Sequence, residues 1–473
     1  MGARDELCWA SLRDLAERIR QRQLSPVDLA QSCLKRVEAL DDSLHAFITV
    51  TRDAALDQAR TAEDEIARGQ YRGLLHGIPF AVKDQIYTRD VRTTAGSELL
   101  RDFVPSVDAT AVARMKHAGA VLLGKLNMTE FALGDAYHFP YGEPHNPWNR
   151  DYYSGGSSCG SGIATATGMA PVTLGEDTGG SIRNPANMCG VVGLRPTVGL
   201  VSRHGVIGAD WSADTVGVTA RSVESCAITL GVLAGRDERD PTTSRRDVPD
   251  YLAELDGEHR GLRIGIVREF RDDHGLHPEV RQAFERSVAT MAGLGAQVEE
   301  VSIPMVREAG VIWAAGVDAE ISLSPHAAWL RSHWNVYSYT SRMRAGLSLL
   351  MPPRLVADAA VGRLVLQRQF QEAYSMVDLI MSPSYPTPPP SYAEIESLRD
   401  GHQGLEHHLG PARYTSAFAT VGSPAISVPC GFTTTGLPLG LQFAARPYED
   451  ARMMSAAYAY EQATDFSARR PPT

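Results

Sequence analysis

The stretch that decides the fold runs from Tyr153 to Arg195 and reads YSGGSSCGSGIATATGMAPVTLGEDTGGSIRNPANMCGVVGLR. It carries two clusters of glycine and serine, Gly155-Gly156-Ser157-Ser158-Cys159-Gly160-Ser161 and Asp177-Thr178-Gly179-Gly180-Ser181. Small residues from Gly162 to Met169 lie between them, then the apolar Pro171-Val172-Thr173-Leu174; Val191, Val192 and Leu194 follow the second cluster. Glycine permits positive φ and close backbone approach. Successive backbone N–H groups in such turns form a concavity that attracts negative charge. A serine at its end is placed to act as a nucleophile beside an oxyanion hole. Flexible Gly/Ser linkers are repetitive and lack apolar flanks. The clusters therefore read as loops held between strands, either plain tight turns of an α/β sheet or a catalytic site built on one.

Outward from this stretch, helical and strand patterns alternate. Residues 11–40 read as two helices, the first capped by Ser11 with Leu12, Leu15 and Ile19 on one face, the second opened by Ser25-Pro26. Ser32-Cys33-Leu34-Lys35 spells S-x-x-K, but it sits inside that amphipathic helix without companion motifs and is set aside. Strands are expected at 46–50, 77–82, 120–123, 263–267, 297–303, 377–381, 425–429 and 439–444, and helices at 53–68, 109–118, 279–294 and 450–463. The prolines from Pro383 to Pro390 mark a rigid loop. This alternation predicts an α/β protein, one domain over residues 1–473 with a central sheet and helices on both faces. The strand at 77–82 delivers Lys83-Asp84. Sending an ammonium into the interior is costly, so a surface pair between Lys83 and a carboxylate such as Asp84 is the competing reading.

Composition narrows the function. The 473 residues carry a formal net charge of −10, which argues against a basic nucleic-acid footprint. Six cysteines form no C-x-x-C and suit neither a zinc site nor a dense disulfide frame, so buried reduced thiols are expected. The N-terminus MGARDELCWASL has charges where a signal peptide needs an apolar core, and Met1-Gly2 lacks the Ser or Thr at position 6 of a myristoylation site. No apolar run approaches the roughly 18–20 residues of a membrane span. A cytoplasmic location without membrane or nucleic-acid partners is the expectation.

The two clusters resemble the amidase signature family, whose pattern is matched by Gly155–Ser161, Asp177–Arg183 and Cys189–Thr197, with Gly77–Asp84 upstream and Gly422–Pro429 downstream. The resemblance implies a large mixed sheet flanked by helices, a catalytic core over 70–235 and a variable cover over 310–370, where the match is weakest. It implies a Ser-Ser-Lys triad: Ser181 as nucleophile, Ser157 as bridging serine after a cis Gly156–Ser157 bond, Lys83 as base. The separations, 181 − 157 = 24 and 157 − 83 = 74, fit the family. Thr178, Gly179 and Gly180, together with Ser181, become oxyanion donors, and Gly156, Ser158, Asp177 and Arg183 support the loops. Lys83 must be uncharged to take a proton, which burial favours when no carboxylate compensates. Cys159 stands where the family often has Gly or Ser, read as a packing substitute. No cofactor and no metal is implied.

The same resemblance points to an amidohydrolase acting on a small-molecule amide. The aromatic residues at 137–148 and 313–339 favour aryl or apolar amides, with esters or carbamates sharing the chemistry. The alternative is the amidase subunit of a glutamine-dependent tRNA amidotransferase; the Arg-Tyr-Asp-Gly-type segment of that branch is not found between 310 and 370. Gly156-Ser157-Ser158-Cys159-Gly160 also fits a G-x-S-x-G elbow with Ser158 as nucleophile, but that elbow needs a preceding strand and HNPWNRDYYSG does not read as one. Oligomeric state is left open.

Overall fold

The parallel strands explain themselves first. Pro79-Phe80-Ala81-Val82-Lys83 and Val172-Thr173-Leu174-Gly175-Glu176 are buried along their whole length. Near-continuous burial of this kind marks strands covered on both faces, as parallel strands in α/β proteins are. In the computed structural model, which describes residues 6–134, 136–208, 210–257, 260–397 and 402–472, these strands belong to one mixed sheet. The Met1-Gly2 start lies outside the described residues.

The strands are β1 (Phe47–Val50), β2 (Pro79–Lys83), β3 (Val121–Leu126), β4 (Val172–Glu176), β5 (Val192–Arg195), β6 (Val216–Ala220), β7 (Arg263–Val267), β8 (Gln297–Val301), β9 (Leu379–Pro383), β10 (Ala425–Phe432) and β11 (Pro438–Ala444). Their order across the sheet is β1-β3-β2-β4-β6-β5-β10-β11-β9-β7-β8. The β3-β2-β4 and β9-β7-β8 pairings are parallel and the others antiparallel. The sheet runs from residue 47 to residue 444, so the chain is a single α/β domain, as the sequence predicts.

The helix starts follow the expected caps. Ser11 Oγ accepts the Asp14 N–H at 3.1 Å, and Ser25 Oγ accepts from Val27 at 3.0 Å, with Pro26 in the first turn. Ser32 Oγ donates to the Asp28 carbonyl at 2.8 Å inside the helix Pro26–Leu44, the ordinary behaviour of a helical serine. Two regions depart from the sequence reading. Residues 310–350, whose sequence shows only weak periodicity, hold the helices His326–His333 and Tyr339–Leu350, and the long Pro353–Met376 follows. The pattern is smeared because Leu350, Leu364 and Val361 are exposed on these helices, so no apolar stripe of period 3.6 stands out. The helix Pro353–Met376 also delays the strand expected at 377 until Leu379. A second helix, His402–Thr420, runs through Pro411, a residue that argues against a helix from sequence alone.

All six cysteines are buried, and none forms a disulfide among the described residues. Among the described residues no helix is long and apolar enough to cross a membrane.

Candidate active site

The site is assembled at the C-terminal ends of β2 and β4, neighbours in parallel register with Val82 opposite Leu174. Open α/β sheets place ligands just beyond the carboxyl ends of their strands. Lys83 is the last residue of β2 and Glu176 the last of β4, so the topology puts the two side chains together across 93 positions of chain. The turn carrying Thr178 to Ser181 follows β4 directly.

Lys83 is fully buried. Its Nζ donates to Ser157 Oγ at 2.7 Å, to the Glu176 carbonyl at 3.2 Å and to Glu176 Oε2 at 3.1 Å. The surface pair with Asp84 does not form; Asp84 instead accepts from the Thr94 N–H at 2.7 Å and Thr94 Oγ1 at 2.5 Å, and pairs with Lys125 at 3.5 Å. Glu176 is the residue that sequence reasoning missed. The expectation of an uncharged Lys83 rested on burial without a compensating carboxylate, and a buried carboxylate stands at 3.1 Å. By the pairing of Val82 with Leu174, Glu176 lies one step beyond the residue in register with Lys83, and nothing local in the sequence marks the contact.

The Gly156–Ser157 bond is cis. Ser158 N–H donates to the Ser181 carbonyl at 3.2 Å, which lays the two serine clusters against each other. No hydrogen bond joins the Ser157 and Ser181 hydroxyls among the described residues; catalytic hydrogen bonds are often loose until substrate is bound. Ser158 itself is fully buried and its Oγ donates to the Glu176 carbonyl at 3.3 Å. Turns and isolated bridges, not a strand, precede it, so the elbow reading has no structural support.

Asp177 builds the turn. Its carboxylate accepts from the N–H groups of Gly180 at 2.7 Å, Ile182 at 3.2 Å and Arg183 at 3.4 Å, and from Arg183 Nε and Nη2 at 3.1 Å. Burial pushes this carboxyl up, but the guanidinium groups of Arg183 and Arg195 outweigh it and hold it at about 2. Arg183 in turn donates to the Thr415 carbonyl at 3.0 Å and to Gln442 Oε1 at 3.1 Å, tying the turn to β11 and the helix His402–Thr420. Asp177 and Arg183 are thus joined to the turn and to each other by buried hydrogen bonds. Gly180, grouped with the oxyanion donors from sequence, needs correcting: its N–H is taken by Asp177 Oδ1. The N–H groups of Thr178, Gly179 and Ser181 have no acceptor among the described residues.

Glycine is needed at 180. Its φ is +141°, and a Cβ there would stand 2.3 Å from Thr415 Oγ1 and 2.8 Å from Thr415 Cβ. Gly180→Ala is expected to push the turn off this contact and lower turnover by about 100-fold or more, the cost of roughly 1 Å of misplacement. Steady-state kinetics on the folded variant checks it; activity within a few-fold of wild type would mean the turn tolerates the shift.

The neighbouring aromatic residues divide. Phe131, His326, Trp329 and Tyr337 pack as a small separate core, with ring centroids of Phe131 at 4.7 Å from His326 and 5.2 Å from Tyr337. Trp313 lies against Gly179, where an added Cβ would be 3.1 Å from the indole, while Trp334 and Tyr339 are exposed. Cys159 is fully buried, and burial pushes its thiol up to about 12, consistent with a packing role. A cavity of about 340 Å³ is lined in part by Glu176, Asp210, Asp214, Trp211 and Trp329.

Comparison with known proteins places this arrangement. The family model described as Amidase matches residues 28–454. The chain belongs to the amidase family. It is 38% identical over 489 residues to a glutamyl-tRNA(Gln) amidotransferase subunit of Geotalea daltonii, covering 98% of this chain and 99% of the relative. Among solved structures it is similar to the native peptide amidase of Stenotrophomonas maltophilia, at 32% identity, TM-score 0.83 and 98% of both chains. It is also similar to a structure from a vestigial protein complex bearing on the evolutionary origins of an s-triazine catabolic enzyme, at 30% identity, TM-score 0.89 and coverage of 98% and 100%. The amidase-signature fold and a hydrolase acting on carbon–nitrogen bonds are therefore properties of this family member.

Proposed function

We propose that this chain hydrolyses a primary carboxamide through an acyl-enzyme on Ser181, as the amidase component of an amidotransferase-type assembly. The chemistry rests on one observation: a buried lysine whose amine lies 2.7 Å from Ser157 Oγ, beside the turn that presents Ser181. Ser157 passes its proton to Lys83 as it takes one from Ser181. Ser181 Oγ attacks the carbonyl carbon, and the N–H groups of Thr178, Gly179 and Ser181 receive the oxyanion, each such donor being worth about 3–4 kcal/mol of barrier. The proton on Lys83 returns through Ser157 to the leaving nitrogen, and ammonia departs. Water then attacks the acyl carbonyl, and Ser181 is regenerated with release of the acid.

The assembly half of the reading is supported by the relatives, full-length matches named as glutamyl-tRNA(Gln) amidotransferase subunits. With a net charge of −10, contact with nucleic acid would fall to other subunits.

A second reading, a stand-alone hydrolase of an apolar or aryl amide, is favoured by the aromatic residues Trp313 and Trp329 near the site and by the missing Arg-Tyr-Asp-Gly-type segment. The purified chain decides between them when assayed on glutamine, asparagine, aryl p-nitroanilides and aryl carbamates. Ammonia release from glutamine or asparagine is the expected result. Turnover of the aryl substrates alone would favour the second reading.

A further inference from the structure

Thr178 Oγ1 lies 2.7 Å from Glu176 Oε1 and 2.7 Å from Asp214 Oδ1. A hydroxyl has one proton to give, so it donates to one of these carboxyl oxygens and can only accept from the other. One of the two carboxyl groups must therefore bring a proton of its own. Glu176 is already committed as an acceptor: its Oε2 takes Lys83 Nζ at 3.1 Å and Gln85 Nε2 at 3.3 Å. That leaves the proton on Asp214. We propose that Asp214, Thr178 and Glu176 form a buried hydrogen-bonded chain that tunes Lys83 as the proton acceptor for Ser157, with Asp214 as its end at the cavity.

The surroundings agree. Asp214, Glu176 and Asp210 are each at most 5% exposed, and all three line the cavity of about 340 Å³. Asp210 Oδ1 is buried without a hydrogen-bond partner, and the Asp210 N–H donates to Asp214 Oδ2 at 3.1 Å. Burial, followed by the charge of Glu176, holds the Asp214 carboxyl up at about 7. Burial and the neighbouring Asp214 push Asp210 up as well. The other charged or titratable groups facing this cluster are Arg195, Arg203, Arg344, Asp318 and Glu320, with His204, Arg239 and Asp240 on the cavity wall; Arg344 pairs with Asp318 at 2.8 Å. Asp214 and Glu176 act through Lys83 and are positioning residues.

The sign follows. Below about pH 7 Asp214 is neutral and Glu176 alone faces Lys83. As pH rises through that value Asp214 gains a negative charge at the end of the chain that reaches Lys83, and nucleophile activation is expected to fall. The chain thus adds a descending limb to nucleophile activation that Lys83 and Ser157 alone would not give.

This inference rests on the Ser181 reading, and the test separates the two. The probe is a fluorophosphonate, in which the Ser181 Oγ–P bond forms, the P–F bond breaks, fluoride leaves and the serine proton passes to Lys83 through Ser157. Labelling rates are measured from about pH 6 to 8 on wild type, Asp214→Asn, Thr178→Val and Thr178→Ser. The ratio of the wild-type rate to the Asp214→Asn rate is expected to fall by about tenfold across this range. Thr178→Val removes the acceptor of the neutral Asp214 proton and moves the limb to lower pH, while Thr178→Ser leaves it in place. A constant ratio, or a Thr178→Val rate lowered equally at every pH, overturns the inference. Labelling that survives Ser181→Ala overturns the parent reading instead.

Discussion

Ser181→Ala is expected to lower turnover by about 10⁵–10⁶-fold, since a triad acts as a unit and loss of its nucleophile costs about as much as loss of the whole. The substitution removes one buried-edge hydroxyl and leaves the surrounding frame in place: Asp177 still binds the Gly180, Ile182 and Arg183 N–H groups. The variant should therefore fold with wild-type stability. That combination, an unchanged melting temperature with almost no turnover, distinguishes a chemical role from a structural one. Ser158→Ala is the matched control. Its hydroxyl reaches only the Glu176 carbonyl, at 3.3 Å, so its loss is expected to cost far less. If Ser158→Ala were the dead variant and Ser181→Ala the active one, the elbow reading would have to be restored.

The largest stability effect is expected at Arg183. Its side chain makes four of the bonds that fix the turn: Nε and Nη2 to Asp177, and Nη1 to the Thr415 carbonyl and Gln442 Oε1. Arg183, Asp177 and Arg195 are all fully buried. Arg183→Ala leaves Asp177 with Arg195 at 3.7 Å as its remaining guanidinium and orphans two acceptors. Breaking a buried pair in this way costs about 3–5 kcal/mol, mostly from the charge left behind. Denaturant unfolding measures it, and a loss under ~1 kcal/mol would mean Arg195 takes over fully. The pH dependence has a definite sign. Asp177 has its folded value depressed from 3.8 to about 2, so its contribution is complete above 3.8 and is lost as pH falls toward 2. In Arg183→Ala that acid-sensitive portion shrinks.

Much of the site was legible because its chemistry is local in the chain. The two glycine–serine clusters, the lysine closing an apolar strand and the Asp177-to-Arg183 turn each announce themselves within a few residues. Most strands were legible as short apolar runs between turn residues, but β6 was not anticipated, and β8, Gln-Val-Glu-Glu-Val, is no such run. What stayed hidden is what depends on register or distance. Glu176 meets Lys83 only because β2 and β4 are adjacent and parallel, and Asp214 meets Thr178 from 36 positions away with no local mark. The use of the Gly180 N–H by Asp177 shows another limit. A glycine turn supplies several donors, but which are free depends on where a neighbouring carboxylate points. Between residues 326 and 376 the helices escaped notice for a different reason: side chains such as Leu350 and Leu364 are exposed, so the pattern that normally reveals a helix is absent.

The central claim is that one serine, Ser181, carries the acyl group. The most direct measurement is peptide mapping by mass spectrometry of the protein after reaction with a fluorophosphonate. A single phosphonyl adduct on Ser181, lost in Lys83→Met, is the predicted result. An adduct on Ser157 or Ser158 with Ser181 unmodified would contradict it.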